Sequence, residues 1–140
     1  ERLNRTLLEK ARCLMIATNC PAHLWTEAIG TANYIKNRSP SSSIGFEIPA
    51  EIWFNKKICI DQLRIFGSLV YVKTPMPILE DNKFGARSEP CRFLGYSSDH
   101  KAYKLWNPKT GKIVISRDCL FNEGDTSFKS TTNYINPFEE

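Results

Sequence analysis

The chain has 140 residues, a formal net charge of +4 and an apolar fraction of 41%, enough to bury the core of one ordinary domain or of two small ones. No apolar run approaches the roughly 18 residues that a membrane span requires, and there is no signal-peptide pattern. The five cysteines are scattered without Cys-x-x-Cys spacing, and neither histidine lies near a cysteine pair, which argues against a zinc site and predicts buried free thiols in a reducing compartment.

The charge is distributed unevenly along the chain. Residues 1–60 hold eight Lys or Arg against five Asp or Glu, residues 61–117 hold ten against five, and residues 118–140 hold one against five. A mildly basic body with an acidic tail permits a nucleic-acid partner, but many proteins carry such charge only as solvated surface. Charge alone therefore leaves both interpretations open.

Three helices are predicted in the first part of the chain. Apolar residues recur every three or four positions over residues 2–18, which predicts a first helix there. Residues 19–21, Asn-Cys-Pro, end this helix, and Pro21 suits the first position of a second helix that covers residues 21–37. A short third helix is expected over residues 49–54.

From residue 63 the pattern changes from a helical period to alternating and β-branched runs. Five short strands are predicted, at residues 66–73, 91–96, 102–106, 112–116 and 118–121. Residues 74–89 hold prolines, a glycine and mixed charge, and we expect a long loop there. Alternation along the third strand places Tyr103 and Leu105 on one face, in the core, and Lys104 and Trp106 on the other. Short strands joined by tight turns indicate a small β-barrel.

The start of the chain and the barrel carry the motifs of a known family. The run Glu1-Arg2-x-Asn4-Arg5-Thr6-Leu7, followed by Ala11-Arg12, resembles the helix of copia-type retrotransposon integrases that bears the third carboxylate of an Asp, Asp, Glu triad. The resemblance covers about residues 1–123 and is most specific in Cys91-x-Phe93-Leu94-Gly95-Tyr96, Leu105-Trp106-x-Pro108 and Ser116-Arg117-Asp118. One departure is Ser68, where members of that family often have Cys.

The resemblance implies an α+β chain in three parts. Residues 1–60 would be a helical hairpin and linker from the C-terminal end of a ribonuclease-H-like integrase core. Residues 61–123 would form an SH3-like β-barrel, and residues 124–140 an acidic, loosely ordered tail. The chain would then be the C-terminal part of an integrase within a Pol polyprotein. Its location would be intracellular, first in a cytoplasmic particle and then in the nucleus for integration.

The resemblance also implies a catalytic role for Glu1. In the parent integrase, Glu1 would be one ligand of the two Mg²⁺ or Mn²⁺ ions that strand transfer needs. One carboxylate cannot hold two such ions, so we expect neither activity nor a bound metal in this chain alone. The expected partners are DNA, bound with little sequence preference, and other integrase subunits. We expect no membrane and no small-molecule substrate.

Basic side chains in both halves of the chain are candidates for contact with DNA phosphates. They lie along the first helix and among the aromatic residues of the barrel: Arg2, Arg5, Arg12, Arg92, Lys101, Lys104, Lys112 and Arg117. For Arg5 the alternative is an ion pair with Glu1, one helical turn away, and for the barrel residues it is ordinary solvated charge. A further alternative is a structural module that contacts other integrase subunits or the neighbouring polymerase segment.

Overall fold

A computed structural model describes residues 1–73 and 87–129 of the chain. In these two ranges the helical elements are α1 Arg2–Thr18, α2 Trp25–Asn37 and α3 Pro49–Phe54, with short 3₁₀ turns at Ala22–Leu24 and Ser42–Ile44. The first and third helices were predicted with these bounds. The second begins later than predicted, because Pro21 precedes a 3₁₀ turn instead of opening the α-helix. None of the described helices is both long and apolar enough to cross a membrane.

Asparagine ends two of the helices. Asn19, directly after α1, has a φ of 53°, and the Cys20 N–H donates to the Met15 carbonyl at 2.9 Å. Asn55, directly after α3, has a φ of 48°. Asparagine adopts this left-handed conformation more readily than other non-glycine residues do. Each asparagine therefore stops its helix and turns the chain at a position that the sequence specifies locally.

The strands form one five-stranded antiparallel sheet with the order β4-β3-β2-β1-β5. Their bounds are β1 Leu69–Lys73, β2 Ser88–Tyr96, β3 Tyr103–Trp106, β4 Ile113–Ser116 and β5 Cys119–Asn122. Strands β4 and β5 lie at opposite edges of this order, yet only Arg117 and Asp118 separate them in the chain. The sheet therefore curls until its two edges approach each other, as in a small barrel. This confirms the predicted α+β fold, with helices followed by an SH3-like domain.

Both faces of the curled sheet are buried. The barrel interior contains Val70, Val72, Cys91, Phe93 and Leu105, with Tyr96, Tyr103, Cys119 and Phe121 packed against them. A second core lies between the sheet and the helices and contains Ala11, Leu24, Ala28, Ala32, Phe66, Leu94 and Phe128. Tyr103 and Leu105 belong to the interior, whereas Trp106 packs against the second core and Lys104 pairs with α2. The predicted alternation along β3 is confirmed.

Small side chains on α2 let the helix lie close to the sheet. Ala28 and Ala32 are buried there, and the Thr31 hydroxyl donates a hydrogen bond to the Leu94 carbonyl of β2. At Gly95, the next residue of β2, a Cβ atom would lie only 2.5 Å from Thr31 Oγ1. A residue larger than glycine at this position would push β2 away from α2.

The first strand begins later than predicted because the backbone bends before it. Gly67 has a φ of +81°, and the Ser68 N–H donates to the Ile65 carbonyl at 3.2 Å, so residues 66–68 turn instead of extending. A Cβ atom at Gly67 would lie 2.7 Å from the Thr126 carbonyl oxygen. The second strand is longer than predicted and begins at Ser88. The remainder of the predicted loop, residues 74–86, lies outside the described ranges.

Residues 124–129 are packed against the barrel and the helices, which corrects the expectation of a loosely ordered tail for this part of the chain. The Leu69 N–H donates to the Asp125 carbonyl at 2.8 Å. Phe128 is buried between Phe66 and Trp106, with ring centroids 6.0 and 5.7 Å away. The prediction failed because this segment has no periodic pattern of its own. The other residues assigned to the tail, 130–140, lie outside the described ranges.

Candidate nucleic-acid interface

The basic residues of α1 are exposed. Arg2, Arg5 and Arg12 all lie on the solvent-facing side of the helix. Arg5 pairs with Glu9 at 3.0 Å, and not with Glu1 as the alternative interpretation had it. This i,i+4 pair is worth only a few tenths of a kcal/mol because both side chains are largely solvated. Arg5 can therefore exchange its carboxylate partner for a phosphate at little cost.

Glu1 is the exposed residue that precedes the first turn of α1. Its carbonyl accepts the Arg5 N–H at 3.1 Å, but its carboxylate does not cap the helix. Within residues 1–73 and 87–129 there is no group of three or more His, Cys, Asp or Glu side chains that could hold a metal ion. The described residues therefore do not fit a two-metal site by themselves, and Glu1 can supply at most one ligand to such a site.

Arg92 is a structural residue, which corrects its assignment to the DNA-binding set. Its side chain is 0% exposed, and its guanidinium binds both carboxylate oxygens of Asp125, at 3.0 and 3.2 Å. The same group also donates to the carbonyls of Gly67 and Asp125. A buried guanidinium with this bidentate partner cannot contact DNA. Arg92 instead fastens residues 124–129 to the barrel.

Lys104 lies at the contact between the barrel and the helices. Its ammonium group is 3.3 Å from the Glu27 carboxylate on α2, and both side chains are partly buried. The alternation along β3 had placed Lys104 on the face opposite the barrel core, and this face turns out to be covered by α2. Lys104 therefore joins the two halves of the chain, whereas Lys112 is exposed next to the turn between β3 and β4.

Lys101 and Arg117 line an open groove of about 500 Å³ at the junction of the barrel and α2. The groove is also lined by Tyr34 of α2, by Arg38 directly after α2, and by Tyr96 and Asp99 of the barrel. We call this site the Arg38 groove. It brings together two of the predicted DNA-binding residues with a third cation that the predicted set did not contain.

An aromatic stack holds Arg38 in place at one wall of the groove. The guanidinium carbon lies 3.4 Å from the centroid of the Tyr34 ring. The Tyr34 ring in turn stacks on Tyr96, with centroids 3.9 Å apart and planes 12° apart. Burial raises the pKa of Tyr96 to about 12, although the Arg64 N–H that donates to its hydroxyl acts in the opposite direction. Tyr96 is therefore a neutral phenol and adds no negative charge to the groove.

The sequence predicts only one of the two ring contacts that hold Arg38 in place. Tyr34 and Arg38 are four residues apart on a helix, which places them on one face and makes a cation–π contact feasible. The stacking of Tyr34 on Tyr96 could not be predicted, because the two residues are far apart in the chain and meet only when the barrel packs on α2.

Burial makes Cys91 and Cys20 poor nucleophiles. All five are free thiols, and burial raises the pKa of Cys91 to about 12 and that of Cys20 to about 11. A thiol with a raised pKa is a poor nucleophile at neutral pH. The buried thiol predicted at Cys91 is confirmed, whereas Cys119, predicted in the same way from its apolar neighbours, is only half-buried, and Cys13 and Cys59 are exposed.

Residues 68–134 match the retroviral polymerase SH3-like domain family. The chain is 38% identical over 125 residues to the retrovirus-related Pol polyprotein from transposon TNT 1-94 of Nicotiana tabacum, which is 89% of this chain and 9% of that protein. It is 30% identical over 143 residues to the corresponding polyprotein from transposon RE1 of Arabidopsis thaliana, which is 100% of this chain and 9% of that protein.

The polyprotein from transposon RE2 of Arabidopsis thaliana is 30% identical over 137 residues, which is 96% of this chain and 9% of that protein. No solved structure shows significant similarity to the chain. The similarity thus extends through both the helices and the barrel, but the chain spans only about 9% of the length of these relatives. Residues 68–134 therefore belong to the retroviral polymerase SH3-like domain family, and the chain as a whole is homologous to one segment of retrotransposon Pol polyproteins.

Proposed function

We propose that this segment acts in DNA integration as part of a copia-type integrase and that its own contribution is to bind DNA through phosphate contacts. The observation that carries the proposal is the Arg38 groove, where Arg38, Lys101 and Arg117 converge. In the part of the chain that the structure describes, none of these three cations pairs with a carboxylate. Cations left without anionic partners favour a phosphate ligand.

The arginines of α1 provide a second set of phosphate contacts in this proposal. Arg2, Arg5 and Arg12 are exposed and lie on the helix that begins next to Glu1. The motif around Glu1 is the one shared with the catalytic helix of copia-type integrases. In the intact enzyme, Glu1 would be one of the carboxylates that hold Mg²⁺ or Mn²⁺, and the arginines would hold the DNA end beside it. The isolated chain would bind DNA but not react with it.

This function implies a set of partners and a location in the cell. The partners are duplex DNA and the other subunits of the integrase, and the site of action is the nucleus, after an earlier stage in a cytoplasmic particle. Phosphate contacts carry no sequence information, so binding should be tolerant of DNA sequence. It should also weaken steeply with salt, because each phosphate contact releases a condensed counterion.

The test is a titration of a fluorescently labelled DNA duplex with the full 140-residue chain, read by anisotropy at about 50 and 200 mM salt. We expect binding at the lower salt concentration and an affinity that falls about tenfold or more at the higher one. A second duplex of unrelated sequence should bind equally well. Absence of binding at the lower salt concentration would contradict the proposal.

A second candidate function is self-association of the chain, and the observation that favours it is an exposed apolar surface around α3. Its side chains are Phe46, Ile52, Trp53 and Phe54, which we call the α3 patch, and Trp53 is 84% exposed. Apolar surfaces of this kind in soluble proteins mark interaction sites. Glu47 and Lys56 line the adjoining groove, and such mixed charge suits a patch that meets its own copy across a two-fold axis.

Light scattering over a wide range of protein concentration tests this second function. We expect a dimer that dissociates on dilution, and we expect Trp53→Ser to remain monomeric at concentrations where the unaltered chain is dimeric. Leu120→Ser is the matched control, because Leu120 is 75% exposed on β5, outside the α3 patch. A monomer at all concentrations, or equal weakening by both substitutions, would contradict self-association through this patch.

A further inference from the structure

We infer that the Arg38 groove is a composite binding site for the phosphodiester backbone of duplex DNA, completed only when the barrel packs on α2. This inference rests on the proposed DNA-binding function and assigns that function to one site. Arg38 comes from the helical half, directly after α2, whereas Lys101 and Arg117 come from the turns before β3 and before β5. Neither half of the chain contains the whole site.

The stack of rings makes Arg38 a preorganised phosphate ligand. The planar guanidinium lies against Tyr34, which is itself held against Tyr96, so the side chain loses little conformational freedom when it binds. One of its nitrogens is 3.5 Å from the Tyr34 carbonyl, a long contact. A guanidinium has five N–H groups at its edge, and stacking on a ring face leaves that edge available to phosphate oxygens.

The same stack shows why the ligand is a backbone and not a base. One face of Tyr34 is covered by Arg38 and the other by Tyr96. Tyr96 also contacts Phe93 and Tyr103 on the barrel side. With these rings occupied by one another, no flat surface of Tyr34 remains on which a base could stack. What the groove offers to a ligand is positive charge and N–H donors, which is the chemistry that phosphates require.

Asp99 is the acidic residue that lines this groove. Removing its charge should raise the affinity for DNA, whereas removing a positive charge from the groove should lower it. Its carboxylate accepts a hydrogen bond from the Ser98 hydroxyl at 3.1 Å and does not pair with a described cation. In the groove, this negative charge opposes a bound phosphate. Replacing Asp99 by Asn keeps the size and the hydrogen-bond acceptor but removes the charge, so the groove should then bind DNA more tightly.

The experiment compares single substitutions in the full chain by measuring the slope of log affinity against log salt for a labelled duplex. We expect Arg38→Gln, Lys101→Gln and Arg117→Gln each to reduce the steepness of this slope by about 0.9, the value for one phosphate contact. Asp99→Asn should raise the affinity. Lys56→Gln is the matched control, because it removes one exposed positive charge outside the groove and should leave the slope unchanged.

The outcomes separate this inference from the function on which it rests. If the unaltered chain binds DNA but the three groove substitutions leave the slope unchanged, the Arg38 groove is not the site, and the DNA binding is assigned to the exposed arginines of α1 instead. If the unaltered chain does not bind DNA at all, both the proposed function and the inference about the Arg38 groove are wrong. Arg38→Gln also breaks the stack and can perturb the fold, so a decision against the inference rests on Lys101→Gln and Arg117→Gln, whose side chains are exposed.

Discussion

The helical half and the barrel half of this chain bury their apolar residues to very different extents. In the barrel, Val70, Phe93 and Leu105 are fully buried, and the surrounding rings meet edge to face. In the helical half, Trp53 and Ile16 are largely exposed, and α1 and α3 present apolar side chains to solvent. The barrel also exposes Ile113, Ile115 and Leu120, but these lie on its two edge strands.

The described strands of the barrel thus enclose an apolar interior of their own, whereas the helices bury only the faces that meet one another and the sheet. An apolar helix face that is left in solvent is typical of an element that packs against something else. This agrees with relatives in which the matching segment is a small part of a much longer polyprotein. The helical half is therefore the place to look for protein contacts, and its junction with the barrel is the place to look for DNA contacts.

The largest effect is expected from Arg92→Met, which would break the attachment of residues 124–129 to the barrel. The substitution removes the guanidinium that donates to the Asp125 carboxylate and to two carbonyls, and we expect the free energy of unfolding to fall by about 3–5 kcal/mol. Urea unfolding, monitored by circular dichroism, measures this change in the free energy of unfolding. The control is Arg117→Met, at an exposed site, with an effect within about 0.5 kcal/mol. Equal stabilities for the two variants would contradict a structural role for Arg92.

Phe128→Ala should have the next largest effect and tests whether the second core depends on the end of the chain. Phe128 fills the space between Phe66 and Trp106, so its removal leaves a cavity that costs about 3 kcal/mol. Thermal unfolding measures the loss. Phe128→Leu, which keeps much of the volume, should cost about 1 kcal/mol. If alanine is tolerated as well as leucine, residues 124–129 do not contribute to the core.

Gly95→Ala tests the close approach of the barrel to α2. The new methyl group would lie 2.5 Å from Thr31 Oγ1, and we expect a loss of about 1–3 kcal/mol in urea unfolding. The double variant with Thr31→Ala should be less destabilised than the sum of the two single variants, because the clash is relieved. Gly30→Ala is the matched control on the exposed side of α2, where no atom lies within 4 Å. It should stabilise the chain slightly through higher helix propensity.

The smallest effect is a loss of stability at alkaline pH that originates in the barrel. Burial, with smaller effects from Glu89 and Cys119, raises the pKa of Cys91 from 9.0 to about 12. A group whose pKa is higher in the folded state stabilises the fold fully below its unfolded pKa and loses that contribution as the pH rises towards its folded value. Between pH 8 and pH 10 the free energy of unfolding should fall by about 1 kcal/mol from this thiol.

The variant Cys91→Val isolates this contribution, because valine keeps an apolar side chain of similar size in the barrel interior. Its free energy of unfolding, measured in urea at several pH values, should fall less between neutral and alkaline pH than that of the unaltered chain. The same pH dependence in both proteins would show that Cys91 does not account for the loss.

The helices and strands of this protein, and the alternation along its strands, can be predicted from its sequence. The bounds of α1 and α3, the five strands and the opposite orientation of Tyr103 and Lys104 all follow from periods and turn residues that act over a few positions. The resemblance to the integrase family rests on motifs spread over about residues 1–123. These features are local, or are ordered along the chain, and so can be read without knowledge of which residues meet in space.

Which charged residues are available to a ligand depends on long-range packing and could not be predicted from the sequence. Arg92 was expected at the surface because arginine is rarely buried unless it is paired, and its partner Asp125 lies 33 positions away in a segment without periodicity. Lys104 forms an ion pair with Glu27 of α2. Tyr96 of β2 stacks on the Tyr34 ring, and Arg38 lies on that same ring. A charge is solvated or paired according to what packs across from it, and that packing depends on contacts between residues far apart in the chain.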